Sequence, residues 1–167
     1  MSEEEDSPPT GPLTQANEAI HERQEEALLS VIERLTALDF TGARVEFTRL
    51  TEEMVAHLAV EDETTHRRYA ALTNHPRGAA PELFDADHVS HAKVISACEE
   101  ALAGLTEGGP DCRREMVLVL PLFFRLRNVL EHHTLREQRF LYPRLDAELE
   151  PEELLRLTKS LNSPAGS

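Results

Sequence analysis

Two short phrases in this chain set the same pair of reactive side chains one helical turn apart: His57-Leu-Ala-Val-Glu61 and His133-Thr-Leu-Arg-Glu137. Residues four apart on a helix share a face, so each phrase aims an imidazole nitrogen and a carboxylate oxygen at one point. That is half of a metal site, presented twice. Either phrase alone reads more readily as a solvated pair on a charged helix; the repetition, and the histidines elsewhere in the chain, argue for metal.

The elements that must carry these phrases are helices. Breakers at Asp39 to Gly42, Thr73 to Pro81 and Gly108-Gly109-Pro110 separate four long segments of helical period, and no segment alternates as a strand would. The four helices are expected over about Thr14–Leu38, Thr41–Leu72, Pro81–Leu105 and Asp111–Tyr142. Pro121 should kink the last or mark a late start, Pro143 should end it, and Pro151 should open a short C-terminal helix. The fold class is therefore all-α. Residues 1–13, acidic and rich in Ser, Pro and Gly, are expected to be a disordered tail. Residues 14–145 form the bundle, and 146–167 the short helix and a tail.

Stepping by threes and fours gives the inward stripe of each helix. The first reads His21, Glu25, Leu28, Ile32 and Leu35; the second Phe47, Leu50, Met54, His57 and Glu61. The third carries Phe84, His88, His91, Ile95 and Cys98, and the fourth Leu126, Leu130, His133, Glu137 and Phe140. The same count puts His132 on the outer face, and His66 and His75 are expected to be exposed and without a role. Cys98 is expected as a small core residue and Cys112 as an ordinary residue near a helix start. Burying imidazoles and carboxylates without partners costs about 1 to 3 kcal/mol for each neutral group and more for each charge. Either a dense polar network or metal must compensate. His21 lies 18 residues before Asp39 and His57 lies 18 after it, so in an antiparallel pair they meet at one level.

Imidazole and carboxylate without thiolate suit iron, manganese or zinc, and five His with two Glu exceed the needs of one tetrahedral zinc. A dinuclear centre is the economical fit. A ferritin-like site would need two Glu-x-x-His phrases, whereas the chain offers only Glu18-Ala-Ile-His21.

The order of His on the first helix, His-x-x-x-Glu on the second, a His pair on the third and His-x-x-x-Glu on the fourth resembles the hemerythrin-like, or HHE cation-binding, family. The resemblance covers roughly residues 14–143 and includes His133-Thr-Leu-Arg-Glu137-Gln-Arg-Phe-Leu-Tyr-Pro143. It implies an antiparallel up-down four-helix bundle holding two iron ions, oxo- or hydroxo-bridged. By position Glu61 and Glu137 would bridge them. His88, His91 and His133 would complete one iron, and His21 and His57 would hold the other. The second iron would keep an open position for dioxygen, peroxide or another small ligand.

The chain departs from the invertebrate oxygen carriers in spacing His88 and His91 three apart rather than four. It also has Glu four residues after the fourth-helix His, where the carriers have Asp at five. Arg67 stands where the family's second-helix motif often has proline. The two spacing differences move the resemblance toward bacterial and iron-sensing members. They leave open whether one of His88 and His91 stands behind the ligands. Glu25 has three readings: a ligand, a proton donor to bound peroxide, or the partner of an arginine.

Lys+Arg 17 against Asp+Glu 31 gives a formal charge of -14, which repels phosphate backbones and anionic membrane surfaces, so neither nucleic acid nor membrane is expected as a partner. The acidic start, Met1-Ser-Glu-Glu-Glu-Asp-Ser, is unlike a secretory signal, and a cytoplasmic location is expected. The leading functional expectation is a non-haem di-iron protein that binds dioxygen or a related oxidant, with peroxide turnover open. The alternatives are an iron- or oxygen-responsive sensor or storage protein without catalysis, and a metal-free helical interaction module.

Overall fold

The computed structural model describes residues 10–163, all of whose regular elements are helical. The expected tail over residues 1–9 lies outside the described residues, but Pro12 and Leu13 belong to the first helix, with Leu13 fully buried. That helix, α1 (Pro12–Thr36), opens on proline, whose missing N–H costs nothing at a helix start. Its next donors are met from far along the chain: Asp146 accepts from the Leu13 and Thr14 N–H groups, both at 3.0 Å, and from the Thr14 hydroxyl at 2.6 Å. A tight turn through Leu38, at φ 63°, leads to α2 (Phe40–Glu63). Asp39 caps α2 by accepting from the Gly42 N–H at 2.9 Å. A Cβ on Gly42 would meet the Asp39 carboxylate at 2.2 Å, so glycine is what lets the cap close.

The expected second helix is in fact two. At Thr64 the backbone leaves helical geometry (φ −121°, ψ −81°), and the chain resumes as α3 (Thr65–Ala70). The Thr64 hydroxyl donates to the Val60 carbonyl at 2.5 Å and that of Thr65 to Glu61 at 3.5 Å. Such back-bonding by adjacent β-branched residues bends helices. Pro81 opens α4 (Pro81–Gly104).

The fourth expected helix also changes character. α5 (Cys112–Arg136) runs unbroken across Pro121, widens into a π-helical turn over Glu137–Leu141, and continues as α6 (Tyr142–Glu148). Pro143 therefore does not end the helix; it lies in the first turn of α6, where the wider π turn accommodates a residue with no N–H to donate. Finally α7 (Pro151–Asn162) lays Leu157 and Leu161 inward and packs on α1 and α2.

Each of the four long helices packs on two others: α1 on α2 and α5, and α4 on α5 and α2. The core they enclose has two apolar clusters. One holds Leu28, Phe40, Phe47, Met54, Ile95, Phe123 and Leu126, with Cys98 as the expected small core residue. The other holds Leu13, Ile20, Tyr69, Phe84, Tyr142, Leu145 and Leu157. Along α1 the chain passes from the second cluster to the first and along α2 from the first to the second; α4 repeats the first passage, and α5 continued through the π turn into α6 repeats the second. On each helix the residues between the two clusters are polar and buried: His21 and Gln24, His57 and Glu61, His88 and His91, His133 and Glu137. Among the described residues no helix is long and apolar enough to cross a membrane.

Candidate metal centre

The polar layer between the clusters is organised around two carboxylates, Glu61 and Glu137, both fully buried. Glu61 Oε1 lies 3.1 Å from His57 Nε2, and Glu61 Oε2 lies 3.5 Å from His88 Nε2 and 3.7 Å from His133 Nε2. Glu137 Oε2 lies 3.3 Å from His133 Nε2 and 3.8 Å from His21 Nε2, and it accepts from Asn17 Nδ2 at 3.1 Å. Two sets of four candidate ligand atoms result, within each of which every atom lies within 4.8 Å of the others. They are His21, Glu61, His133, Glu137 and Glu61, His66, His88, Glu137. Both carboxylates belong to both sets.

His66, expected on the outside, is 6% exposed, with Nε2 3.1 Å from Glu137 Oε1. It lies five residues after Glu61, a step that on an unbroken helix turns away from the carboxylate. The break at Thr64 brings it back. Tyr142 lies five residues after Glu137, and there the π turn does the same: its hydroxyl donates to Glu61 Oε1 at 2.6 Å. Each carboxylate is thus held by the residue five places after the other one, through two helix irregularities of different kinds. The π turn also corrects the expected stripe, since Leu141 and Tyr142 turn inward and Phe140 is only half-buried.

The electrostatics separate the two carboxylates. Burial pushes both upward, but the imidazoles of His57, His133 and His88 hold Glu61 well below the usual carboxylate range. Burial and the charge of Glu61 hold Glu137 well above it. The two carboxylates are therefore unlike, with Glu61 giving up its proton before Glu137 does. Burial keeps His66 and His91 neutral, down at about 3, and lowers His21 and His133 as well. His88 is raised despite its burial, because Glu61 and Asp62 both face it. Burial and the two glutamates raise the Tyr142 phenol well above its ordinary value, so it remains a donor.

The expected site residues are all buried in this layer except Glu25. His57 Nε2 lies 3.2 Å from His21 Nε2 in addition to its contact with Glu61. His91, fully buried, sets its ring edge-on to His133 at 4.9 Å but stands outside both four-atom sets. His88 belongs to one, and its Nδ1 is held 2.9 Å from Asp62 Oδ1, which leaves Nε2 aimed at the carboxylates. Glu25 is half exposed and is bound by Arg127 at 2.8 Å, so of its three readings the geometry favours the arginine pair. Gln24, 3% exposed, takes the inward place expected of Glu25. His132 is exposed as expected, while His75 is half-buried against Tyr69 at 4.7 Å.

Sequence reasoning passed over Asn17, Asp62, His66 and Tyr142. Asn17 was within reach, lying four residues before His21 on its own stripe. Two cavities approach the layer. One, of about 450 Å³, is walled in part by His57, Gln24 and the end of α7. The other, of about 220 Å³, is bordered by His21, Glu25 and Arg127.

The donor set fits a metal ion. Buried nitrogen and oxygen atoms without a hydrogen-bond partner gather here: Glu61 Oε2, His66 Nδ1, His88 Nε2, and both ring nitrogens of His91 and His133. Native interiors carry few such atoms, and their concentration around two carboxylates is what a ligand set looks like. No family model, curated protein or solved structure matches the chain.

Proposed function

We propose that this protein is a hemerythrin-like non-haem di-iron protein that binds dioxygen or a related small oxidant. The observation that carries the reading is the sharing of Glu61 and Glu137 between the two four-atom sets, which is the arrangement two bridging carboxylates require. Iron fits a donor set of imidazole and carboxylate without thiolate. When bound, it would supply electrons to a small oxidant arriving through one of the two cavities. His21, His133 and the glutamates would hold one ion, with His57 on the cavity side. His88, with His66 or His91, would hold the other together with the glutamates. The order in which the four long helices run between the apolar clusters supports an antiparallel up-down bundle.

Tyr142 keeps Glu61 oriented, and Asn17 does the same for Glu137. Around the centre the apolar clusters exclude water, which strengthens every ligand interaction. The test is the visible spectrum of the reduced, anaerobic, iron-loaded chain before and after admission of air. New ferric absorption that shifts with azide is the expected result. A spectrum indifferent to both air and azide would overturn the oxidant-binding reading. It would favour a sensor or storage protein, whose fold depends on metal because the buried ligand atoms otherwise lack partners.

A further inference from the structure

His66 belongs to a second group of candidate ligands as well, and this one opens to solvent. Asp62, His66 and Asp85 bring one ligand atom each to within 4.8 Å of the others, and both carboxylates are exposed. The imidazole between them is 6% exposed, and its two nitrogens face opposite ways. Nε2 lies 3.1 Å from Glu137 Oε1 in the buried layer, whereas Nδ1 lies 3.5 Å from Asp62 Oδ1 at the surface. Nδ1 has no hydrogen-bond partner, so a buried, unpartnered nitrogen faces the exposed Asp62 carboxylate, and Asp85 completes the group. We infer that Asp62, His66 and Asp85 form a capture site for a divalent cation at the mouth of the buried centre, through which the centre is loaded.

The chemistry favours this role. Two carboxylates and one imidazole at a partly hydrated site suit a weakly held divalent ion that keeps waters and exchanges quickly. The ring of His66 stacks on that of His88 at 4.5 Å, so an ion held outside lies one ring away from a ligand of the buried set. Asp62 also holds His88 Nδ1 at 2.9 Å and so ties the outer site to the inner one. Neither cavity wall contains such a group; among the described residues these three form the one exposed cluster with ligation spacing. The cavities and the capture site would divide the traffic, with the oxidant entering beside His57 or His21 and the metal beside His66.

This inference rests on the two-metal reading, and one experiment separates their failures. Metal-free full-length chain is mixed anaerobically with cobalt(II) and followed by stopped-flow absorbance, with the final cobalt content measured separately. Asp85→Asn should load about fivefold more slowly yet reach the same final content, because Asp85 lies outside the buried set. Glu131→Gln, at the rim of the cavity beside His21, should load at the normal rate. A normal rate in Asp85→Asn, or slowing only in Glu131→Gln, would overturn the capture site while leaving the buried centre intact. A wild-type chain that takes up no cobalt would overturn both. In a Glu137→Ala chain, whose buried set is broken, one weak and rapidly exchanging cobalt should persist and should vanish on adding Asp85→Asn. Its absence from the Glu137→Ala chain would likewise overturn the capture site.

Discussion

A carboxylate that serves two metal ions cannot be truncated without loosening both, whereas a histidine that serves one leaves the other in place. Glu61→Ala and Glu137→Ala should therefore each remove most of the bound metal, and His132→Ala, on the exposed face, should leave the content unchanged. Metal analysis of the three purified variants checks this; loss in His132→Ala with retention in Glu61→Ala would reverse the assignment. The metal-free chain should also lose stability on acidification. His66 and His91, held by burial at about 3, stay neutral when folded, and burial lowers His21 and His133 as well. In the unfolded chain they take up protons near pH 6.5. Their contribution is complete above that pH and is lost as pH falls through it toward the folded values. His88 and Glu137, both raised, oppose the trend, but four groups outweigh two. The urea midpoint of the metal-free chain should drop between pH 7 and pH 5; a rise would mean that the buried histidines are already charged.

At the scale of elements, the chain holds distant pieces together by capping. Asp146, on α6, satisfies the start of α1 through the Leu13 and Thr14 N–H groups. Asp146→Ala should cost about 1 to 2 kcal/mol, measured by urea unfolding, because those donors then have only water. An unchanged midpoint would show that α1 does not depend on the C-terminal elements for its start. The helices themselves, their apolar stripes and their breakers were legible from period and turn chemistry. The break at Thr64 and the π turn at Glu137–Leu141 were not. Each shifts the register of the residues on its C-terminal side, so a constant period carried past Glu61 or Glu137 sends His66 outward and Phe140 inward. Adjacent threonines gave a local hint of the first. Nothing in the period hinted at the second.

For the molecule as a whole, the notable arrangement is a polar layer held between two apolar clusters and crossed once by each long helix. The spacing of His57, Glu61, His133 and Glu137 made that layer visible in the sequence, since helical geometry fixes what a four-residue step does. Of its outer supports, Asn17 was within reach as a member of the His21 stripe, whereas Asp62 and Tyr142 were not visible, because their roles depend on which helix lies opposite. Such a layer is costly unless its donor atoms are satisfied together, and two shared metal ions would satisfy them. The most direct test is the metal content of the full chain purified from iron-replete cells, measured alongside its helical content by circular dichroism. Two irons per chain in a fully helical protein is the predicted result. A fully helical protein with one zinc or no metal would contradict it.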